Sequence, residues 1–157
     1  MPFPDPNNLD LWFPPSPNSR DRAIAWAQRL LSMDDFLVLD TETTGLSSRD
    51  EVVQIAIVNK RGDTVLDTLV KPTIPIPPFV TGIHGITDVH VSAAPTFADI
   101  YAQLHSIFDG RPVVIYNASF DKRLIRQSSN KWKLKALNLA MFTCALQAYS
   151  SYYGEKR

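Results

Sequence analysis

Four consecutive apolar residues, Phe36-Leu37-Val38-Leu39, run directly into Asp40-Thr41-Glu42-Thr43-Thr44-Gly45. An apolar run this short, with no helical period, is the pattern of a strand buried on both faces. Similar runs recur at residues 52–58 (VVQIAIV), 65–70 (VLDTLV) and 113–116 (VVIY). Lys60-Arg61-Gly62-Asp63 is polar and contains glycine, so the second and third runs are expected to pair as an antiparallel hairpin. The order helix, three strands, helix, strand, helix, helix indicates a mixed sheet covered by helices, an α/β fold.

The helices are read from period and caps. Ser19 reads as the N-cap of a helix over 20–32, with Ile24, Ala27 and Leu31 on one face and Ala23, Trp26 and Leu30 beside them. Thr96 caps a helix over 97–108, where Phe97, Ile100, Tyr101, Leu104, Ile107 and Phe108 follow the spacing of one buried face. Residues 118–128 are expected to be helical, with Phe120, Leu124 and Ile125 inward, and a last helix is expected over about 143–153. Residues 71–78 hold four prolines and read as an extended loop. Half of the 12 prolines fall in the first 17 residues, so 1–18 reads as an irregular arm, tacked on by Trp12 and Phe13. The remainder, 19–157, has the length of one domain. No stretch approaches the ~20 apolar residues that cross a bilayer, and the N-terminus lacks a signal-peptide pattern, so a cytoplasmic location is expected. The single cysteine, Cys144, excludes an intrachain disulfide and a cysteine zinc cluster; it falls in the last expected helix and reads as a core residue.

The formal net charge is zero, but it hides a gradient. Residues 1–100 carry 7 Lys/Arg against 13 Asp/Glu, and residues 101–157 carry 9 against 3. Lys122, Arg123, Arg126, Lys131, Lys133 and Lys135 follow one another with no intervening acid. Such a run is either a solvated face or a local phosphate-binding patch.

Side chains alternate along a strand, so Asp40 and Glu42 point to one side, roughly 7 Å apart along the backbone. Two carboxylates at a strand exit can share hard divalent cations, which would offset their mutual repulsion. Tyr116-Asn117-Ala118-Ser119-Phe120-Asp121 repeats the arrangement, a buried strand and then an acid where a helix begins. Asp121 could simply complement that helix N-terminus, with Ser119 or Asn117 as its cap. Adjacent strands would instead bring it beside Asp40 and Glu42 as a three-carboxylate cluster.

LDTETTG resembles the first motif, and YNASFD the second, of the DEDD superfamily of 3′–5′ exonucleases. Ile83-His84-Gly85-Ile86-Thr87 and Ala94-Pro95-Thr96-Phe97 are similar to the stretch between those motifs in the proofreading subunit of bacterial DNA polymerase III and its free-standing relatives. The resemblance covers about residues 36–150 and implies a ribonuclease-H-like mixed sheet with flanking helices. It implies that Asp40, Glu42 and Asp121 hold two Mg²⁺ or Mn²⁺ ions, one activating water and the other stabilising the leaving 3′-oxygen. The implied reaction is release of nucleoside 5′-monophosphates from the 3′ end of single-stranded DNA. Thr43, Thr44 and Leu46 would bind the terminal nucleotide, Leu46 as an apolar wedge, with His84 and Asn117 lining the pocket. The basic run 122–135 would then carry the strand's phosphates.

The family's C-terminal H-x-A-x-x-D or Y-x-x-x-D motif, which carries a fourth carboxylate and a general base, is not found in these 157 residues. His84, His90 and His105 all precede the second motif, and no aspartate lies four residues after Tyr149, Tyr152 or Tyr153. The domain is therefore expected to be C-terminally incomplete, with the last helix of the fold missing. Two readings stand: an exonuclease, or a nucleic-acid-binding or interaction module (or truncated fragment) of the same fold without catalysis.

Overall fold

The computed structural model describes residues 20–154. The proline-rich arm, with Trp12 and Phe13, and the Ser19 cap lie outside the described residues. The elements run α1 (Arg20–Ser32), β1 (Leu37–Thr43), β2 (Val52–Asn59), β3 (Thr64–Leu69), α2 (Pro78–His84), α3 (Asp88–Val91), α4 (Phe97–Phe108), β4 (Val113–Ile115), α5 (Ala118–Lys131), β5 (Phe142–Cys144) and α6 (Ala145–Tyr153). The five strands form one sheet in the order β3-β2-β1-β4-β5. β1, β2 and β3 pair antiparallel, and β4 joins β1 and β5 in parallel, so the sheet is mixed as expected. The hairpin closes where Asn59 N–H donates to the Asp63 carbonyl at 2.9 Å.

One face of the sheet holds the core. Leu37 and Leu39 of β1, Ile55 and Ile57 of β2, and Val113 and Ile115 of β4 pack there against Phe97, Ile100, Leu104 and Phe108 of α4 and Leu124 and Ile125 of α5. α4 carries the predicted buried face and a capping box, in which Thr96 accepts from Asp99 N–H and the Asp99 carboxylate accepts from Thr96 N–H.

The other face corrects the expectation of a strand buried on both sides. β1 alternates strictly, with Leu37, Leu39, Thr41 and Thr43 buried and Val38 39% exposed. Thr143 of β5, in register with Val114 and through it with Val38, accepts a hydrogen bond from Trp26 Nε1 at 2.9 Å. α1 therefore covers this face on its β4–β5 side, where Val114 is buried. The predicted face of α1 is displaced accordingly. Ala23 is buried and Trp26, Ala27 and Leu30 are half-buried, whereas Ile24 and Leu31 are exposed.

Three elements were not anticipated. α2 begins at Pro78, a residue suited to a first helical turn, and ends on Gly85 in the left-handed region (φ 77°). α3 is a single turn held by the capping box of Thr87 and His90. Residues 142–144, placed at the start of the last helix by the sequence, instead form β5, and Cys144 is a strand residue. It is buried as expected, its Sγ donating to the Tyr116 carbonyl at 3.3 Å. Among the described residues no helix is long and apolar enough to cross a membrane.

Candidate functional site

Parallel pairing of β1 and β4 puts the ends of both strands at one edge of the sheet. Asp40 and Glu42 leave β1 on the incompletely covered face, Asp40 exposed and Glu42 half-buried. Asp121 enters from the first turn of α5 and is buried. Its Oδ1 accepts a 2.7 Å hydrogen bond from Thr41 Oγ1. Burial raises the Asp121 pKa above the ordinary carboxylate value and the negative charge of Asp40 adds to the rise, while the Thr41 hydroxyl opposes it.

Asp121 and Asp40 thus sense each other across the strand end, but the expected three-carboxylate cluster is not closed. Among the described residues no group of three or more His, Cys, Asp or Glu side chains is placed to hold a metal ion. The reason lies in strand alternation: Thr41, which holds the Asp121 carboxyl, projects from the face of β1 opposite to Asp40 and Glu42. The donor set is nonetheless of the right chemistry. These are carboxylate oxygens, and ionising the buried Asp121 beside Asp40 is a cost that a hard divalent cation offsets.

The turn after β1 is built from internal bonds. Thr43 Oγ1 donates to the Gly45 carbonyl (2.9 Å), and Thr44 Oγ1 donates to Asp50 Oδ1 (2.9 Å) while accepting from Glu51 N–H (3.0 Å). Both threonines are buried. Asp50 also accepts from Ser47 N–H, at 2.6 Å. A Cβ on Gly45 would lie 2.8 Å from Asp50 Oδ2, so only glycine lets the turn close on that carboxylate. Leu46 at its tip is 79% exposed. His84 reaches the same strand end. Its Nδ1 accepts from Ile86 N–H (3.0 Å), so Nε2 carries the hydrogen and donates to the Thr43 carbonyl (3.2 Å). Asn117 is exposed at the N-cap position of α5, but makes no side-chain cap bond; its Oδ1 accepts from Ser119 Oγ.

The basic run is divided by the fold. Arg123 faces the turn, donating to the carbonyls of Leu46 (3.1 Å) and Ser47 (3.0 Å). Gln127, one helical turn on, donates to the carbonyls of Ser47 and Asp50. Lys131 lies 3.6 Å from the buried carboxylate of Glu51, which also accepts from Thr73 N–H and Oγ1. Lys133 and Lys135 lie beyond α5, and Tyr101 Oη donates to the Lys135 carbonyl. Lys122 and Arg126 line a pocket that Arg123 and Gln127 also border; burial, with the Arg126 charge, lowers the Lys122 pKa. The sequence reading missed Thr41, Asp50, Glu51 and Gln127. Of these, only Thr41 had a legible signal, since the residue between two same-facing acids must face the opposite way.

The RNase_T exonuclease family model matches residues 37–157. The uncharacterized exonuclease CP81 of Escherichia phage 186 is 42% identical over 139 residues, covering 85% of this chain and 69% of the phage protein. The DNA polymerase III epsilon subunit of Buchnera aphidicola is 34% identical over 116 residues, covering 68% of this chain and 50% of the subunit. A DNA polymerase III epsilon-like protein of Rhodobacter capsulatus is 44% identical over 110 residues, covering 66% of this chain but 16% of its own length. A product-bound exonuclease I structure superposes with a TM-score of 0.67 at 20% identity, over 80% of this chain and 33% of that one, and shares the ribonuclease-H-like fold. The two motifs, the sheet that brings them to one edge and these relatives agree: the chain belongs to the exonuclease family.

Proposed function

We propose that the chain acts as a divalent-metal-dependent 3′–5′ exonuclease on single-stranded DNA, releasing nucleoside 5′-monophosphates. The observation that carries this reading is the buried Asp121 carboxyl at the β1–β4 edge, bonded to Thr41 and facing the charge of Asp40. Exonuclease I structures of this fold were solved with dT13 and dA16 oligonucleotides, and a single strand is the substrate carried over from them.

Asp40, Glu42 and Asp121 would hold the cations, Mg²⁺ or Mn²⁺. When bound, these supply Lewis-acid stabilisation of charge developing on the scissile phosphate. Leu46 stands exposed on a turn pinned by Arg123, Gln127 and Asp50, a rigid apolar tip for the terminal base. Thr43 and Thr44 serve that tip through the turn they build, and His84 through its bond to the Thr43 carbonyl. Asn117 offers an exposed amide at the head of α5.

A second reading is a strand-binding module without hydrolysis. It is favoured by the carboxylates, which among the described residues do not close a metal-holding group of three, and by His84 and His90, both held in backbone bonds. A 5′-labelled oligothymidylate incubated with Mn²⁺ separates the two. The exonuclease reading expects stepwise shortening from the 3′ end with mononucleotide product. The module reading expects salt-dependent retention of an intact strand. Internal cleavage or shortening from the 5′ end overturns both.

A further inference from the structure

A second feature of α5 lies beside the contacts to the Leu46 turn. Ser119, Lys122, Arg126 and Asn130 follow one another at three- and four-residue steps, so they share one side of the helix. Together with Arg123 and Gln127 they line a pocket of about 600 Å³, walled on the far side by Phe142 and Cys144 of β5 and by Gln147 of α6. That volume lies in the range of small-ligand sites. No acidic residue lines it. Among the described residues neither Lys122 nor Arg126 has an acidic partner, in contrast to Lys131 on Glu51 and Arg111 on Asp35.

Two cations one helical turn apart repel each other, and a fold that only needed a soluble surface gains nothing from directing both into one cavity. An anion between them removes that repulsion. The amides of Asn130 and Gln147 and the hydroxyl of Ser119 add neutral hydrogen-bonding groups suited to phosphate oxygens. The stripe from Ser119 to Asn130 extends about 16 Å along the helix, and its Lys122 directly follows Asp121.

We propose that this pocket is a phosphate-binding subsite for the DNA strand, engaging phosphodiesters upstream of the 3′ end through Lys122 and Arg126. The inference rests on the exonuclease reading for its choice of ligand. It narrows the six-residue basic run to the two pocket cations that are not tied to the turn; Arg123 also lines the pocket but donates to the Leu46 and Ser47 carbonyls, and Lys131 pairs with Glu51.

The test measures affinity for a fluorescent oligothymidylate against salt concentration, with EDTA present so that no strand is consumed. Each lost phosphate contact on a single strand reduces the logarithmic salt slope by about 0.7. Lys122→Gln with Arg126→Gln is expected to flatten it by about 1.4. Arg61→Gln, in the hairpin turn at the opposite end of the sheet, is expected to leave it unchanged. A slope unaltered by the double substitution, or equally reduced by Arg61→Gln, overturns the proposal. Inorganic phosphate provides a second readout: it should shift the side-chain amide resonances of Asn130 and Gln147 in the wild-type chain and not in the double variant. Absence of that shift overturns the pocket as an anion site. A shift with an unchanged strand slope overturns the strand as its ligand. Failure of the exonuclease reading is seen separately, as absence of nucleotide release.

Discussion

Thr41 holds the buried carboxylate of Asp121, and a methyl in place of its hydroxyl would leave that carboxylate without its 2.7 Å donor. Thr41→Val is expected to destabilise the fold by about 2 kcal/mol, read from denaturant unfolding, and Thr41→Ser by much less. Equal losses for the two variants would mean that packing, and not the hydroxyl, matters at this position. Asp50 gives the pH dependence. Burial pushes its pKa up, but bonds from Ser47 and Thr44 and the Arg123 charge outweigh this and hold it below the ordinary carboxylate value. A depressed folded-state pKa contributes stability above the unfolded value, lost as pH falls through the folded one. The gap in melting temperature between wild type and Asp50→Asn should therefore be largest above the ordinary carboxylate pKa and narrow as pH falls below it. A gap that widens on acidification would contradict the assignment. Asp40 and Glu42 stand out in the sequence because they follow an apolar run, whereas Asp121 stands out only as part of YNASFD. Asp50 and Glu51 were not legible, because their partners, from Thr44 to Thr73, are set by a turn and a loop that no local pattern encodes.

At the scale of elements, α5 is the organising piece. Its buried side joins the core through Leu124 and Ile125, and one flank clamps the Leu46–Asp50 turn through Arg123 and Gln127. Replacing Arg123 or Gln127 by alanine removes two backbone-directed bonds worth about 1 kcal/mol each. Amide exchange in residues 46–50 is expected to accelerate at least about tenfold, with exchange in the core strands unchanged. Uniform acceleration would show that the clamp stabilises the whole domain and not the turn. α1 and α4 were readable because their apolar period exceeds three turns. β5 was not, since Phe142-Thr143-Cys144 passes into α6 with no turn residue between them. α2 and α3 are short: α2 starts on the last proline of the 71–78 loop, and α3 is one turn held by a capping box. The face of α1 was misplaced because period gives the width of an apolar stripe, while the side facing the sheet is decided by contacts such as Trp26 with Thr143.

Over the whole molecule, the strand order β3-β2-β1-β4-β5 converts two motifs about 80 residues apart into one edge, Thr41 meeting Asp121 across it. The neutral total charge likewise resolves into places. Acids stand at the end of β1, and two cations without acidic partners among the described residues stand on the outer flank of α5. The activity proposed for this edge is metal-dependent hydrolysis at a 3′ end. The most direct measurement is the rate of nucleoside 5′-monophosphate release from a single-stranded oligonucleotide, with and without Mn²⁺, for the wild-type chain and Asp40→Ala. Mn²⁺-dependent release is expected, and Asp40→Ala, melting at the wild-type temperature, should lower it by at least about a hundredfold. Release that persists in Asp40→Ala, or that does not depend on the cation, would contradict the proposed activity.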